Sequence, residues 1–137
     1  MTTEEKDLLF QDISARLPYG VKVQIFSMEY PNGNDEVLTT RLLDGFSYRL
    51  EEIKPYLRPM SSMTEEEENE VNKLLGYRKN INGYGGILCS GWNGDVIVNI
   101  DVIVSYLNWL NAHHFDYRDL IEEGLALEAP EGMYKIE

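Results

Sequence analysis

Turn-forming residues divide this sequence into short segments, which limits the chain to short helices and strands. Pro18-Tyr19-Gly20, Pro31–Asp35 and Asp44-Gly45 are dense turn signals, because proline fixes φ while glycine, asparagine and aspartate tolerate left-handed backbone. Between these turns the apolar residues follow helical spacing in some segments and strand spacing in others. With 137 residues, the chain has the usual size of one domain, so the sequence predicts a single α+β domain over residues 1–137.

Four segments combine apolar residues at helical spacing with residues that can cap a helix, and they cover about residues 3–16, 64–75, 102–113 and 115–124. Thr2 or Thr3 can cap the first helix, and Asp101 can cap the third. Thr64 and Glu67 fit the capping box of the second helix, in which a hydroxyl and a carboxylate each satisfy a backbone N–H. The broad apolar face of the third segment predicts the central helix of the core.

Five segments have strand patterns, and they cover about residues 21–26, 37–43, 46–51, 87–89 and 96–98. The first three predict an antiparallel meander, and the last two a second hairpin around the turn Asn93-Gly94-Asp95. Residues 54–63 hold Pro55 and Pro59, which favour an ordered loop or a crossing. The predicted fold is therefore α+β, with an antiparallel sheet of about five strands packed against three to four helices.

The charge of the chain restricts its partners. There are 24 acidic and 12 basic residues, which leaves a net charge of −12. Because nucleic-acid binding begins with lysines and arginines that displace counterions, this balance argues against direct binding of DNA or RNA. It favours a protein partner with a basic surface. A homo-oligomer is kept as an alternative assembly.

The compartment follows from three features of the sequence. The single Cys89 allows no internal disulfide, which is typical of reducing surroundings. The N-terminal residues are acidic where a signal peptide needs basic and then apolar residues. No apolar run reaches the roughly 18 residues of a membrane span. We therefore expect a cytoplasmic protein that does not enter a membrane.

Several residue groups could carry chemistry, although each has a simpler structural explanation. His113 and His114, with Asp116 and Asp119, could bind a metal, but adjacent histidines at a helix end diverge and are better read as C-capping groups. The Glu65–Glu68 run is read as a solvated helix N-terminus rather than a cation site. No metal and no cofactor is therefore expected.

Two further groups have a weak functional interpretation. Cys89 could pair with a histidine as a nucleophile, but a buried thiol in an apolar strand explains it better. The glycines of Gly83–Gly86 could cradle a phosphate, but they lead into a strand rather than a helix, so a turn or bulge is the better explanation. No catalytic residue is assigned.

The segments Lys54–Glu67 and His113–Pro130 resemble an uncharacterised family of small proteins from gut anaerobic bacteria and their phages or mobile elements. The resemblance covers 32 residues at two separated places, 14 in the first segment and 18 in the second. It implies a small, phage-related accessory protein of the cytosol and assigns no catalytic role to any residue. Both segments combine irregular backbone with an arginine among acids and aromatics. Arg58 and Arg118 are therefore expected to form bidentate pairs that fix loops to the body, with ligand recognition as the alternative.

These observations predict a non-enzymatic acidic binding or regulatory protein. One alternative is a small hydrolase or nucleotide-binding enzyme that uses residues 113–119, with Arg118 on the substrate anion. Another is a structural or assembly subunit of a phage or of an oligomeric complex. The candidate binding residues lie in the two segments that carry the resemblance, and they are Tyr56, Arg58, His113, His114, Asp116, Tyr117, Arg118 and Asp119.

Overall fold

The computed structural model describes the backbone of residues 1–74, 88–90, 96–98 and 100–134. It describes the side chains of residues 1–74 and 101–134. The helices in this part of the chain are α1 (Thr3–Arg16), α2 (Thr40–Phe46), α3 (Glu65–Leu74) and α4 (Ile100–Ala112). The strands are β1 (Lys22–Ile25), β2 (Asn34–Val37), β3 (Ile53–Pro59), β4 (Leu88–Ser90), β5 (Val96–Val98), β6 (Phe115–Asp116) and β7 (Leu127–Glu128). The predicted α+β class is confirmed.

The chain forms two compact units. The first comprises Met1–Met60 and Asn111–Glu137, and the second comprises Ser61–Leu110. The prediction that the whole chain forms one domain stays a prediction.

The first unit is built on a mixed sheet. Its strand order is β2-β1-β3-β6, and β7 also pairs with β3. The pairs β1–β2 and β1–β3 are antiparallel, whereas β3 pairs in parallel with β6 and with β7. The prediction of a purely antiparallel sheet is therefore wrong, because two short strands from the C-terminal part of the chain join β3 in the same direction.

The predicted second and third strands are also wrong. Residues 40–46 form α2, because the Thr39 hydroxyl accepts the backbone N–H of Leu42 at 3.2 Å and starts a helix there. The strand before it, β2, begins at Asn34, inside the predicted turn. Residues 46–51 are the end of α2 and a short 3₁₀ turn rather than a strand.

The third strand lies where an ordered loop was predicted. β3 spans Ile53–Pro59 and pairs on both sides despite Pro55 and Pro59. Proline excludes only its own N–H from a ladder, so the carbonyl groups and the other residues still pair. β3 is thereby the central strand of the described sheet.

The core of the first unit lies between α1 and the sheet. Leu9 and Ile13 of α1 are fully buried against Val23 of β1 and Leu57 of β3. The predicted α1 boundaries are confirmed, and Thr2 is its N-cap in a capping box with Glu5. Burial of this apolar face, rather than helix propensity, stabilises α1.

The predicted helix over residues 115–124 is wrong. Phe115 and Asp116 form β6, and one turn follows at residues 120–124. Gly124 ends this turn with φ +77, and the N–H groups of Leu125 and Gly124 donate to the carbonyls of Leu120 and Ile121. This is the Schellman pattern, so the glycine stop was predicted correctly, but it closes a single turn.

The second unit contains α3, the β4–β5 hairpin and most of α4. The capping box of α3 is confirmed: the Glu67 N–H donates to Thr64 Oγ1 at 3.2 Å, and the Thr64 N–H to Glu67 Oε1 at 3.0 Å. The β4–β5 hairpin is also confirmed as an antiparallel pair. The predictions for Gly83–Gly86, the 93–95 turn and the Cys89 side chain lie outside the described residues.

Helix α4 differs from its prediction at both its start and its packing. It begins at Ile100, so Asp101 lies in its first turn instead of capping it. Val104 is 49% exposed and Leu107 is 38% exposed, so α4 is not the central core helix.

Within the described ranges, each helix is too short or too polar to span a lipid bilayer.

Candidate functional site

The predicted binding residues all lie in the first unit, and two of them, Tyr117 and Arg118, contact a buried ion pair between Asp12 and Arg16 of α1. Arg16 Nε donates to Asp12 Oδ2 at 2.9 Å, and Arg16 Nη2 donates to Asp12 Oδ1 at 3.1 Å. The same Nη2 also donates to the Phe115 carbonyl at 2.6 Å, and both side chains are 0% exposed. One guanidinium therefore holds β6 against α1. We call Asp12, Arg16, Tyr117 and Arg118 the arginine cluster.

Arg118 and Tyr117 complete this cluster. Arg118 Nη1 donates to Asp12 Oδ1 at 3.3 Å, so the carboxylate accepts from two arginines. The Tyr117 ring centroid lies 5.3 Å from the Arg16 guanidinium carbon and 5.0 Å from that of Arg118. Its hydroxyl donates to Asn111 Oδ1 at 2.8 Å. Arg118 thus fastens its loop to α1, through one nitrogen rather than a bidentate pair.

Asp116 has a structural role in the turn that follows β6. It is buried, and its two carboxylate oxygens accept the N–H of Leu120 at 2.9 Å and of Ile121 at 3.0 Å. The carboxylate therefore caps this turn in the way that an N-cap residue caps a helix. Asp119 is exposed and adopts the left-handed conformation, with φ 58.

The two histidines lie in different surroundings. His114 is only 7% exposed and stacks on Tyr134, with ring centroids 3.8 Å apart. Its Nδ1 is buried and has no hydrogen-bond partner among the described residues. Burial, reinforced by the positive charge of Arg16, lowers the pKa of His114 to about 4. His113 is half-buried, and its carbonyl lies 3.5 Å from Arg58 Nη1.

Tyr134 joins two strands at the place where their direct pairing ends. Its hydroxyl accepts the Lys22 N–H at 2.8 Å and donates to the Tyr56 carbonyl at 2.7 Å. The next ladder pair, Val23 with Pro55, is direct. Tyr134 therefore extends the β1–β3 ladder by one pair, and burial raises the pKa of its hydroxyl to about 12.

The remaining candidates, Tyr56 and Arg58, lie on β3. The Tyr56 hydroxyl donates to Asp35 Oδ1 at 2.7 Å, and burial together with this carboxylate raises its pKa to about 12. The Arg58 guanidinium carbon lies 4.2 Å from the Phe115 ring centroid, within the range of a cation–π contact. The Arg58 N–H donates to the His114 carbonyl at 2.7 Å.

The structure thus brings most of the predicted residues together, and it engages them in contacts that order the C-terminal segment. The described hydrogen bonds of Asp116 are to backbone N–H groups, and that of Arg118 is to Asp12. Among the described residues, no three histidine, cysteine or acidic side chains are grouped so that they could hold a metal.

Sequence reasoning missed Asp12 and Arg16, although their spacing places them beside Leu9 and Ile13 on one face of α1.

A second feature of the first unit is an open groove that sequence reasoning did not predict. It lies between the β1–β2 connection and α2 and has a volume of about 440 Å³. Its floor consists of Ile25, Leu42 and Phe46, which are part of the core or pack against it. We call it the hairpin groove. The large side chains of Met28 and Tyr30, just before the turn signal Pro31–Asp35, were the sequence feature that could have indicated it.

The rim of the hairpin groove is acidic. Glu29, Glu36 and Glu52 lie around it, with Arg49 as the basic residue of the described lining. Arg49 Nη1 is 3.4 Å from Glu52 Oε2, and its guanidinium carbon lies 4.7 Å from the Phe46 ring centroid. The groove therefore combines an apolar floor with a net negative rim.

Comparison with known proteins gave no match: no protein-family model, no curated protein and no solved structure matches this chain. The function is therefore argued from the residues of the protein itself.

Proposed function

We propose that this protein is a non-enzymatic acidic binding protein that regulates a protein partner by occupying a basic surface of that partner. The distribution of charges carries the proposal. Among the described side chains, the exposed bases are Arg41, Arg49 and Lys73. Exposed acids are far more numerous, from Glu4 near the N-terminus to Glu131 near the C-terminus.

The basic residues are instead drawn into contacts within the first unit. Arg16 and Arg118 bind Asp12, and Lys22 Nζ donates to the Met133 carbonyl at 3.3 Å. These basic side chains are therefore partly removed from the surface, where they would otherwise offset the negative charge of the exposed acids. A surface of one sign steers oppositely charged partners toward it and repels those of like charge.

The candidate enzyme residues do not lead to a second proposal. Asp116 and Arg118 are engaged with backbone N–H groups and with Asp12, and these contacts explain their positions without a substrate. We also propose that the protein is phage-related and acts in the cytoplasm. Identification of the partner protein would test both points.

Capture from lysate tests the proposal. The full chain and an unrelated acidic protein of similar net charge are immobilised in parallel at about 0.05 M and about 0.5 M salt. We expect a basic protein to be retained by this chain alone at low salt and to be released at high salt, because exposed charges are screened. If no basic protein is enriched over the acidic control at low salt, the proposal fails.

A further inference from the structure

We propose that the hairpin groove binds an extended segment of a partner protein in which apolar side chains are flanked by lysine or arginine. This inference rests on the proposed function and adds to it a binding site and a ligand class. Three features of the groove support this assignment: its shape, its charge, and the order of the loop that forms its wall.

The size and floor of the groove suit apolar side chains. A volume of about 440 Å³ lies in the range of sites that take a few side chains of a ligand. Leu42 and Phe46 leave one end of the core open to solvent there, since both are only half-buried and pack against the core. Covering them would remove apolar surface from water, which is the main favourable term in most protein association.

The wall of the groove exposes two further side chains of the kind that anchor interfaces. Met28 is 99% exposed and Tyr30 is 42% exposed, and both line the groove. A methionine adapts to many apolar shapes, and tyrosine is enriched among the residues that contribute most to binding. Met28 and Tyr30 lie next to the half-buried Leu42 and Phe46, so they form part of an apolar patch and are not isolated exposed residues.

The charge of the rim selects the flanking residues of the ligand. Glu29 and Glu36 are exposed acids of the groove lining, whereas Glu52 Oε2 is already paired with Arg49 Nη1 at 3.4 Å. Lysine or arginine would meet these carboxylates. A second copy of this chain is a poor occupant, because two molecules of net charge −12 repel each other.

The loop that forms the wall is ordered by its own contacts. The Tyr30 N–H donates to the Ser27 carbonyl and the Gly33 N–H to the Tyr30 carbonyl, both at 3.0 Å. Gly33 has φ +87, and a Cβ there would lie 2.8 Å from Gln24 Nε2, so the loop packs closely on β1. A wall fixed before binding loses less entropy when a ligand arrives.

An extended ligand is favoured because alternate residues of a strand line the groove. Asn34 and Glu36 of β2 line the groove together with Ile25, which pairs with Asn34, so the groove follows one face of β2 and β1. An extended segment that lies along this face would place alternate side chains toward the groove.

Fluorescence anisotropy with a defined peptide tests the inference. The probe is a fluorescein-labelled peptide of sequence Lys-Leu-Lys-Phe-Lys-Leu-Lys, and its counterpart carries glutamate at each lysine. We expect the full chain to bind the lysine peptide and not the glutamate peptide. No binding of the lysine peptide overturns the groove assignment, while the proposed function is judged separately by the capture of a folded basic protein.

Two matched pairs of variants locate the binding site. The double substitution Glu29→Lys, Glu36→Lys should weaken binding at least about tenfold, whereas Glu122→Lys, Glu123→Lys makes the same charge change elsewhere and should weaken it less than about threefold at ~0.15 M salt. In the same way, Met28→Ser should weaken binding, and Tyr48→Ser should not, since Tyr48 is exposed outside the groove.

Equal weakening by both charge pairs would overturn the groove assignment, because binding would then depend only on total charge, as the proposed function alone allows. A dimer in light scattering that the groove variants dissociate would overturn it in favour of a second copy as occupant.

Discussion

At the scale of single residues, Asp12 organises the first unit. A carboxylate and a guanidinium that are both removed from water destabilise a protein unless each is paired and hydrogen-bonded. Asp12 meets this condition with two arginines, and Arg16 adds the Phe115 carbonyl. This single carboxylate therefore connects α1 to β6 and to the loop that follows it.

Substitution of Asp12 by alanine should lower the free energy of unfolding by about 3–5 kcal/mol, because it leaves Arg16 charged, buried and unpaired. Arg118→Ala is the control: Arg118 is 27% exposed, so the loss should be about 1 kcal/mol or less. Urea unfolding followed by circular dichroism measures both. Equal losses in the two variants would contradict the central role of the Asp12–Arg16 pair.

The pKa of His114 predicts a pH dependence of stability. The unfolded chain takes up a proton on this histidine below its ordinary pKa of 6.5, whereas the folded protein takes it up only near pH 4. Because the unfolded state binds more protons in this window, the free energy of unfolding should fall as pH decreases from about 6.5 to about 4. Above pH 6.5 this group should contribute no pH dependence.

His114→Asn should remove that part of the pH dependence, and asparagine tolerates the φ of 63 at this position. Urea unfolding of both proteins at several pH values between 7.5 and 4 measures the difference. An NMR titration, with His113→Gln to assign the resonances, measures the pKa directly. A His114 imidazole that titrates near pH 6.5 in the folded protein would refute the prediction.

The residues of the arginine cluster show what sequence reasoning at this scale could achieve. Residues 113–119 were selected as a group of histidines and carboxylates inside a segment that carries the resemblance, and Tyr117 and Arg118 of this group lie in the arginine cluster. Their partner on α1 was missed, because an acid and a base four residues apart on a helix usually form a solvated surface pair. Only the packing of this face of α1 in the folded unit shows that the pair is buried.

At the scale of elements, the sequence predicted helices better than strands. α1 and α3 begin at capping boxes and carry their apolar stripe within a few turns, so their signals are local. β3 was missed because its pairing partners β6 and β7 lie more than 50 residues away in sequence, and its prolines indicated a loop. α2 was missed because Val37–Leu43, taken alone, fits a strand pattern. The helical spacing becomes visible only when the apolar residues at 38, 42, 43 and 46 are considered together.

The capping box of α3 gives a prediction at this scale. Thr64→Ala should destabilise the protein by about 1 kcal/mol, since it leaves the Glu67 N–H without its acceptor. Thr64→Ser keeps the hydroxyl and should cost much less. Thermal unfolding monitored by circular dichroism compares the three proteins. An unchanged melting temperature in Thr64→Ala would mean that this cap contributes nothing to stability.

At the scale of the whole molecule, the same charge distribution affects both stability and recognition. The acids that face solvent repel each other in the folded chain more than in the expanded unfolded chain, because the folded chain holds them closer together. The Asp12–Arg16 pair is shielded from ions by its burial, so dissolved salt affects the exposed acids far more than this pair.

Added sodium chloride should therefore raise the melting temperature. Between about 0.01 M and about 0.5 M salt the Debye length shrinks from roughly 30 Å to less than 10 Å, so repulsion between exposed acids should almost vanish. The substitutions Glu122→Lys and Glu128→Lys reduce the net charge at two exposed positions and should raise the melting temperature at low salt while reducing its increase with salt. Chloride is preferred to sulfate, which stabilises folded proteins by exclusion from their surface regardless of charge. A melting temperature that falls with added chloride, or the same increase in the charge-reduced variant, would show that surface repulsion does not limit the stability of this protein.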